Sequence, residues 1–249
     1  MAIITTVDEV NKLRTSGRIS AQALEAVVAI VKPGVTTAEL NAVAEATIIA
    51  AGGKPAFKGY EGYPFGLCTS VNDEVVHGMP SRNRVLVDGD IIGLDIGTNF
   101  QGLFSDHART VAVGTITPAI KKLITDSEEA LRIGLRAVKP GNHIGDIGFA
   151  IEHFLKPLGY GIVIQLTGHG LGYTVHEAPA IPNVGRKNSG PLIVPGMVLA
   201  IEPMVNLGSA EVETLDDGWT VVTSDHQPSA HVEHTVLVTE NGCDIITQP

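Results

Sequence analysis

Four acidic residues of this chain stand in sequence that otherwise reads as apolar strand. Asp95 closes "VDGDIIGLD", Glu202 sits in "VLAIEPMV", Asp106 opens "DHARTVAV" and Glu233 lies within "HVEHTVLV". Side chains alternate across a strand, so Ile91, Gly93, Asp95 and Gly97 share one face. Strand interiors disfavour both Asp and Gly, and glycines on both sides of an acid predict a cavity beside it. The plainer alternative is a solvated acid on an edge strand. Four carboxylates held among apolar strands cannot all stay ionised beside one another. Either they protonate, or cations sit among them, and two divalent ions would balance four negative charges.

A further donor is available in "TGHGLGYTVHEAP", which holds His169 and His176 with glycines at 168, 170 and 172. A histidine taken alone is more often an ordinary hydrogen-bonded residue than a ligand. Beside four acids the balance changes, and His169 is the favoured ligand because its glycines let the backbone approach the ions. One imidazole among oxygen donors suits Mn, Fe or Co better than structural zinc, which prefers thiolates or several imidazoles. Two such ions can share a water, lower its pKa and polarise the carbonyl it attacks, so hydrolysis is the expected reaction class.

The elements that must carry these residues are legible. Thr36 and Glu39 have capping-box spacing ahead of a helical run ending at Gly52 and Gly53, and Thr117 with Pro118 opens a second helix that stops at Pro140 and Gly141. Residues 7–31, with Gly17 as a candidate break, and residues 143–157 read as further helices. "VLVDGDIIGLDIGTNF", "DHARTVAVG", "LIVPGMVLAIEPMVNL" and "VEHTVLVTENG" read as strands. Helices and strands in blocks predict an α+β fold with a mostly antiparallel sheet. An internal repeat supports this. "VKPG" occurs at 31–34 and 138–141, "VHGMP" at 76–80 is answered by "VHEAP" at 175–179, and "VDGDIIGLD" is answered by "VPGMVLAIE" ending at Glu202. The first and third pairs lie at the same offset. Two related halves meeting about an approximate two-fold axis would bring equivalent acids face to face.

At 249 residues the chain reads as one large domain. Its net charge of -10, without a Lys/Arg cluster, argues against nucleic acid as a partner. No apolar run is long enough for a membrane span, and the start lacks the pattern of a secretory signal. Cys68 and Cys243 are too few for a disulfide framework or thiolate zinc. A cytoplasmic location is expected.

Taken in order, "NDEVVHGMP", "GLDIG", "SDHARTV", "TGHGLG", "VHEAP", "AIEPMV" and "VEHTVLV" resemble the type I methionine aminopeptidases, from about residue 5 to residue 245. The resemblance implies the pita-bread fold, with pseudo-two-fold halves at roughly 5–115 and 116–245 around a central, mostly antiparallel sheet flanked by helices. It implies removal of the initiator methionine from nascent chains with a small second residue, using two divalent ions held by Asp95, Asp106, His169, Glu202 and Glu233. Asp106 and Glu233 would bridge the ions, and Glu202 would also shuttle a proton. His77 and His176 would hydrogen-bond the scissile peptide group and steady the tetrahedral intermediate.

The same resemblance places Tyr60, Tyr63, Cys68 and Trp219 in a methionine pocket. Phe57 stands where the family often has cysteine, and Val175 where it often has phenylalanine, so the pocket's shape is expected to differ. A monomer with no membrane partner is expected, with transient ribosome contact left open. The alternatives are an Xaa-Pro aminopeptidase, which usually carries a large additional domain before the catalytic one, and a non-catalytic binding protein on this fold, which typically loses ligands. His107, His143, His153, His226, His231 and His234 are read as structural or surface residues, with His107 and His234 turned to the face opposite the ligands.

Overall fold

Thr6 and Thr36 open the first two helices in the same way. In the computed structural model, which describes residues 1–248, the Thr6 hydroxyl accepts from the Glu9 amide at the head of α1 (Val7–Val28), and Thr36 with Glu39 forms the capping box of α2 (Thr37–Ala50). These bonds satisfy amides that a first turn leaves unpaired. Thr117 caps α3 (Pro118–Ala137), and the His143 amide donates to Asp146 at 2.7 Å at the head of α4 (Ile144–Leu155). The candidate break at Gly17 is not there, since α1 runs through it. A Cβ on Gly17 would lie 2.3 Å from the carbonyl oxygen of Ile246, so this glycine admits the C-terminal segment against the helix.

Every strand pairing among the described residues is antiparallel. Strand Ile91–Phe100 pairs along its whole length with Leu103–Ala112, and on its other edge with Leu67–Val71 and Lys54–Pro55. α1 and α2 cover the face that carries Ile92, Leu94 and Ile96. In the second half the order is Gly242–Ile245, His234–Thr239, Val198–Ile201, Gly168–Gly170, Glu177–Ile181. Here α3 and α4 pack over Leu199, Ile201, Val236 and Val238. Full burial of each such aliphatic side chain contributes about 1.5–3 kcal/mol. The cores therefore hold the helices in place, and through them the strands.

The expected single central sheet is interrupted at the junction of the halves. Leu103–Ala112 runs beside residues 231–235, but only one amide-to-carbonyl bond joins them at the centre, from Glu233 to Ala108 at 2.9 Å. On either side a threonine hydroxyl takes the place of a direct ladder bond. Thr235 Oγ1 accepts from the Asp106 amide and donates to the Asp106 carbonyl, both at 2.8 Å. Thr110 Oγ1 accepts from the His231 amide at 2.9 Å and donates to its carbonyl at 2.8 Å. Small hydroxyl side chains thus span strands too far apart to pair directly, and they fix Asp106 and Glu233 relative to each other. No helix among the described residues is long and apolar enough to cross a membrane.

Alanine is favoured over glycine within a helix by about 1 kcal/mol, whereas overpacking a tight contact costs about 1–3 kcal/mol. Because a methyl at residue 17 would meet backbone atoms of Ile246, the second effect dominates. Gly17→Ala is expected to lower the thermal midpoint by about 2–6 °C. A calorimetric scan showing a rise instead would contradict the packing role of this glycine.

Candidate active site

Asp95 lies opposite Ala108 in the first-half hairpin, Asp106 lies opposite Gly97, and Glu233 is bonded through its amide to Ala108. The register therefore sets three acids on one face of adjoining strands. Glu202, one residue past Val198–Ile201, and His169 in Gly168–Gly170 arrive from the second-half sheet, where His169 is paired with Ala200. All five line one cavity of about 400 Å³, together with His77, His176, Phe57, Tyr60, Tyr63, Cys68 and Trp219. Donor atoms of Asp106, His169 and Glu233 lie within 4.8 Å of one another. His169 Nε2 is 3.4 Å from Glu202 Oε1 and 3.9 Å from Asp106 Oδ2.

This arrangement is electrostatically unstable on its own. Burial pushes the Asp95, Glu202 and Glu233 carboxyls well above the ordinary carboxylate range, and the charge of Asp106 raises each further. Asp106 itself is pushed up to about 6 by burial, held back by its contact with Asp95 and by the His107 amide that donates to it. Asp95 and Asp106 meet carboxyl to carboxyl, which requires a shared proton or a cation. Asp95 Oδ1 and Glu233 Oε1 are buried without a hydrogen-bond partner.

His169 completes the picture. Its Nδ1 lies 3.0 Å from the Gly170 carbonyl, which can only accept, so the ring proton belongs on Nδ1 and the Nε2 lone pair faces the acids. Burial lowers its pKa to about 3, with the neighbouring imidazole of His176 acting in the same direction. A lone pair aimed at carboxylate oxygens is repelled unless something positive lies between them. The donor set of carboxylates and one correctly oriented imidazole therefore fits hard or borderline divalent cations.

Asp95 does border the cavity, and the neighbouring glycine has a packing role: a Cβ on Gly97 would lie 2.5 Å from the Phe57 ring, so the glycine admits that ring to the wall. Gly93 has only ordinary contacts with Ser70 and Thr110. Around His169, a Cβ on Gly168 would lie 2.4 Å from the Ala200 carbonyl and one on Gly170 2.2 Å from that of Ala178. Those glycines let three strands close up, and the metal-facing geometry of His169 follows from that packing.

On the opposite side Phe57, Tyr63, Cys68 and Val175 form a small buried cluster, with Tyr60, Phe65 and Trp219 packed against it. The Tyr63 hydroxyl donates to the carbonyls of Leu67 and Gly78, and its ring meets Trp219 edge to face at 5.1 Å. Asp217 accepts from the amides of Trp219 and Thr220 and fixes that loop. Burial pushes the Cys68 thiol up, so it stays neutral and apolar. Val175 is the one expected pocket residue that does not line the cavity. In the bend that precedes Glu177–Ile181, His176 enters the cavity while Val175 packs behind it against Phe57, Tyr63 and Cys68.

His176 Nδ1 is 3.1 Å from the Tyr60 hydroxyl, and its ring meets that of His169 edge-on at 4.3 Å. His77 is held at φ 60°, a left-handed conformation that costs a non-glycine residue about 1–3 kcal/mol and is concentrated at functional sites. Burial lowers its pKa to about 4. His107 and His234 stack on each other at 4.8 Å, outside the cavity. His231 departs from its expected structural or surface role: it is 3% exposed and lines the cavity, with Nε2 3.7 Å from Glu202 Oε2. His231 ends the strand Ser229–His231, two residues before Glu233, and no local signal marks it as part of the cavity wall. Glu61, at φ 49°, and Met204, which lies within "AIEPMV", also line the cavity and were not among the expected site residues.

Comparison with known proteins agrees with this geometry. The model of metallopeptidase family M24 matches residues 11–240. Methionine aminopeptidase 1 of Bacillus subtilis is 47% identical over 248 residues, covering 100% of both chains. The crystal structure of methionine aminopeptidase from Thermotoga maritima superposes with a TM-score of 0.98 at 40% identity, again over 100% of both chains. The prolidase of Pyrococcus furiosus is more distant, with a TM-score of 0.82 at 25% identity, and this chain covers 66% of it. With a family model across most of its length and full-length relatives well above a third identical, the chain belongs to metallopeptidase family M24, in the methionine aminopeptidase branch with its pita-bread fold.

Proposed function

We propose that this metallo-aminopeptidase removes the initiator methionine from nascent proteins and peptides whose second residue is small. The observation that carries the reading is the junction of two environments in one cavity: a cluster of buried acids with His169, and an apolar wall of Phe57, Tyr63 and Trp219 with the neutral thiol of Cys68. An unbranched thioether fits such a wall. Asp95, Asp106, His169, Glu202 and Glu233 are the residues that would hold two divalent ions, with Asp106 and Glu233 shared between them. When bound, the ions supply a water of lowered pKa and polarise the scissile carbonyl.

The chain's own groups account for the remaining steps. Glu202, which faces His169 with one oxygen and His231 with the other, is the carboxylate that would accept a proton from the attacking water and return it to the leaving amine. A Tyr60 hydroxyl that donates to His176 Nδ1 leaves Nε2–H free to donate to the peptide oxygen. His77 contributes a second neutral imidazole from the other half. Because Val175 lies behind the wall, the pocket's width is set by Phe57 against Gly97, and a methionine side chain contacts that ring. We place the enzyme in the cytoplasm as a monomeric single catalytic domain, 1–249, built from halves 5–115 and 116–245, with Mn, Fe or Co as the ions and transient contact with the ribosome. Two unpaired cysteines support the cytoplasmic placement. An Xaa-Pro aminopeptidase is the second reading, and identity with the prolidase is far lower than with the methionine aminopeptidases.

Turnover of Met-Ala-Ser and Met-Leu-Ser by metal-free protein reloaded with Mn, Fe or Co tests the assignment. Methionine release from the first, at least about tenfold faster than from the second, is expected; efficient cleavage of Ala-Pro peptides without cleavage of Met-Ala would overturn it. Asp106→Asn is expected to reduce kcat beyond the roughly 10–100-fold that loss of an outer-shell partner produces, with circular dichroism unchanged. Retained activity would remove Asp106 from the shared position. In metal-free protein the buried acids bind protons more tightly folded than unfolded. That stabilisation is complete below the ordinary carboxylate range and is lost as pH rises through the folded values, near 6 for Asp106 and well above the ordinary carboxylate range for the others. Urea melts are expected to show falling stability from pH 4.5 upward without metal and a flatter dependence with Mn. A metal-free protein that grows more stable over that range would contradict the clustering of charge.

A further inference from the structure

His231 is buried in the wall of the cavity, and its Nε2 has no hydrogen-bond partner. Its backbone cannot withdraw, because Thr110 holds both the amide, at 2.9 Å, and the carbonyl, at 2.8 Å. The nearest carboxylate to the orphaned nitrogen is Glu202, whose Oε2 lies 3.7 Å away, while the other oxygen, Oε1, faces His169 Nε2 at 3.4 Å. Glu202 therefore sits between two imidazoles, and no hydrogen bond to its side chain is formed. The two imidazoles are not equivalent. His169 carries its ring proton on Nδ1, bonded to the Gly170 carbonyl, so its Nε2 offers a lone pair and cannot donate to Glu202. Of the two, only His231 can present an N–H to this carboxylate.

We propose that His231 is a positioning residue for Glu202: its Nε2–H holds Oε2, so that Oε1 is turned toward His169 and the other acids. The inference rests on the reading of Glu202 as both ligand and proton carrier. A carboxylate with two demands on it benefits from having its oxygens distinguished, and an N–H on one of them does this at no cost in charge. Side chains that orient ligands in this way typically carry 10–100-fold of metal affinity or activity. The closing distance from 3.7 Å to hydrogen-bond length is within what side-chain rotation provides when a site fills.

The test uses His231→Phe, which keeps ring volume and removes the donor, and His231→Gln, whose amide N–H can replace it. Calorimetric titration of each metal-free protein with Mn is the readout besides turnover, and melting of the metal-free proteins checks folding. His231→Phe is expected to bind Mn about 10–100-fold more weakly and to lose kcat with KM changed less than about threefold, whereas His231→Gln recovers both to within about threefold of the parent. Unchanged Mn affinity in His231→Phe, or equal impairment of the two variants, would overturn the role. Failure of the parent to release methionine from Met-Ala-Ser would instead sink the substrate assignment, and the Mn titrations would still decide His231.

Discussion

Four carboxylates line one cavity set deep in the protein, and their mutual repulsion is the constraint that the rest of the molecule serves. In such surroundings like charges interact several times more strongly than in water, so the chain must hold them together against their own field. It does so with rigid elements. Two aliphatic cores clamp the strands from behind, and two threonine hydroxyls and one amide join the halves where the acids meet. A site of this kind is destabilised when empty and pre-organised for what fills it, because the ligands cannot relax away.

The histidines show how tautomer and burial divide labour among chemically identical groups. Burial keeps His77, His169 and His231 neutral around the acids, so none of them neutralises a carboxylate by protonation. What distinguishes them is where each ring proton points. His169 turns a lone pair inward because its other nitrogen is bonded to a carbonyl, and His176 has its Nδ1 at the Tyr60 hydroxyl. The compensation for negative charge must then come from cations or from protons on the acids themselves, which is the alternative that the bare sequence also leaves open.

Much of this was legible in the sequence because the relevant signals are local. Capping residues Thr36 and Thr117 gave helix starts directly, and an acid in a β-branched run marks a strand that violates its own preference. The repeat located equivalent acids in the two halves. What could not be read depends on contacts between distant segments. Gly17 looks like a helix break until Ile246 is seen against it, and Gly97 looks like empty space until Phe57 fills it. Val175 and His176 are neighbours in sequence, and only the direction of the chain decides which one reaches the cavity. His231 has no motif of its own, and its proximity to Glu202 follows from the pairing of Met204 with His231 within the second half, a contact between segments distant in sequence.

The account stands on paired cations offsetting the clustered acids, and proton-linked calorimetry addresses that directly. Titration of metal-free protein with Mn at pH 7, in buffers of different ionisation enthalpy, is predicted to give two ions bound per chain with net proton release, as acids that hold protons when empty give them up to the metal. Absence of binding, or binding of Mn with no proton released in any buffer, would contradict the claim that burial and mutual repulsion raise the proton affinity of this cluster and that cations take the protons' place.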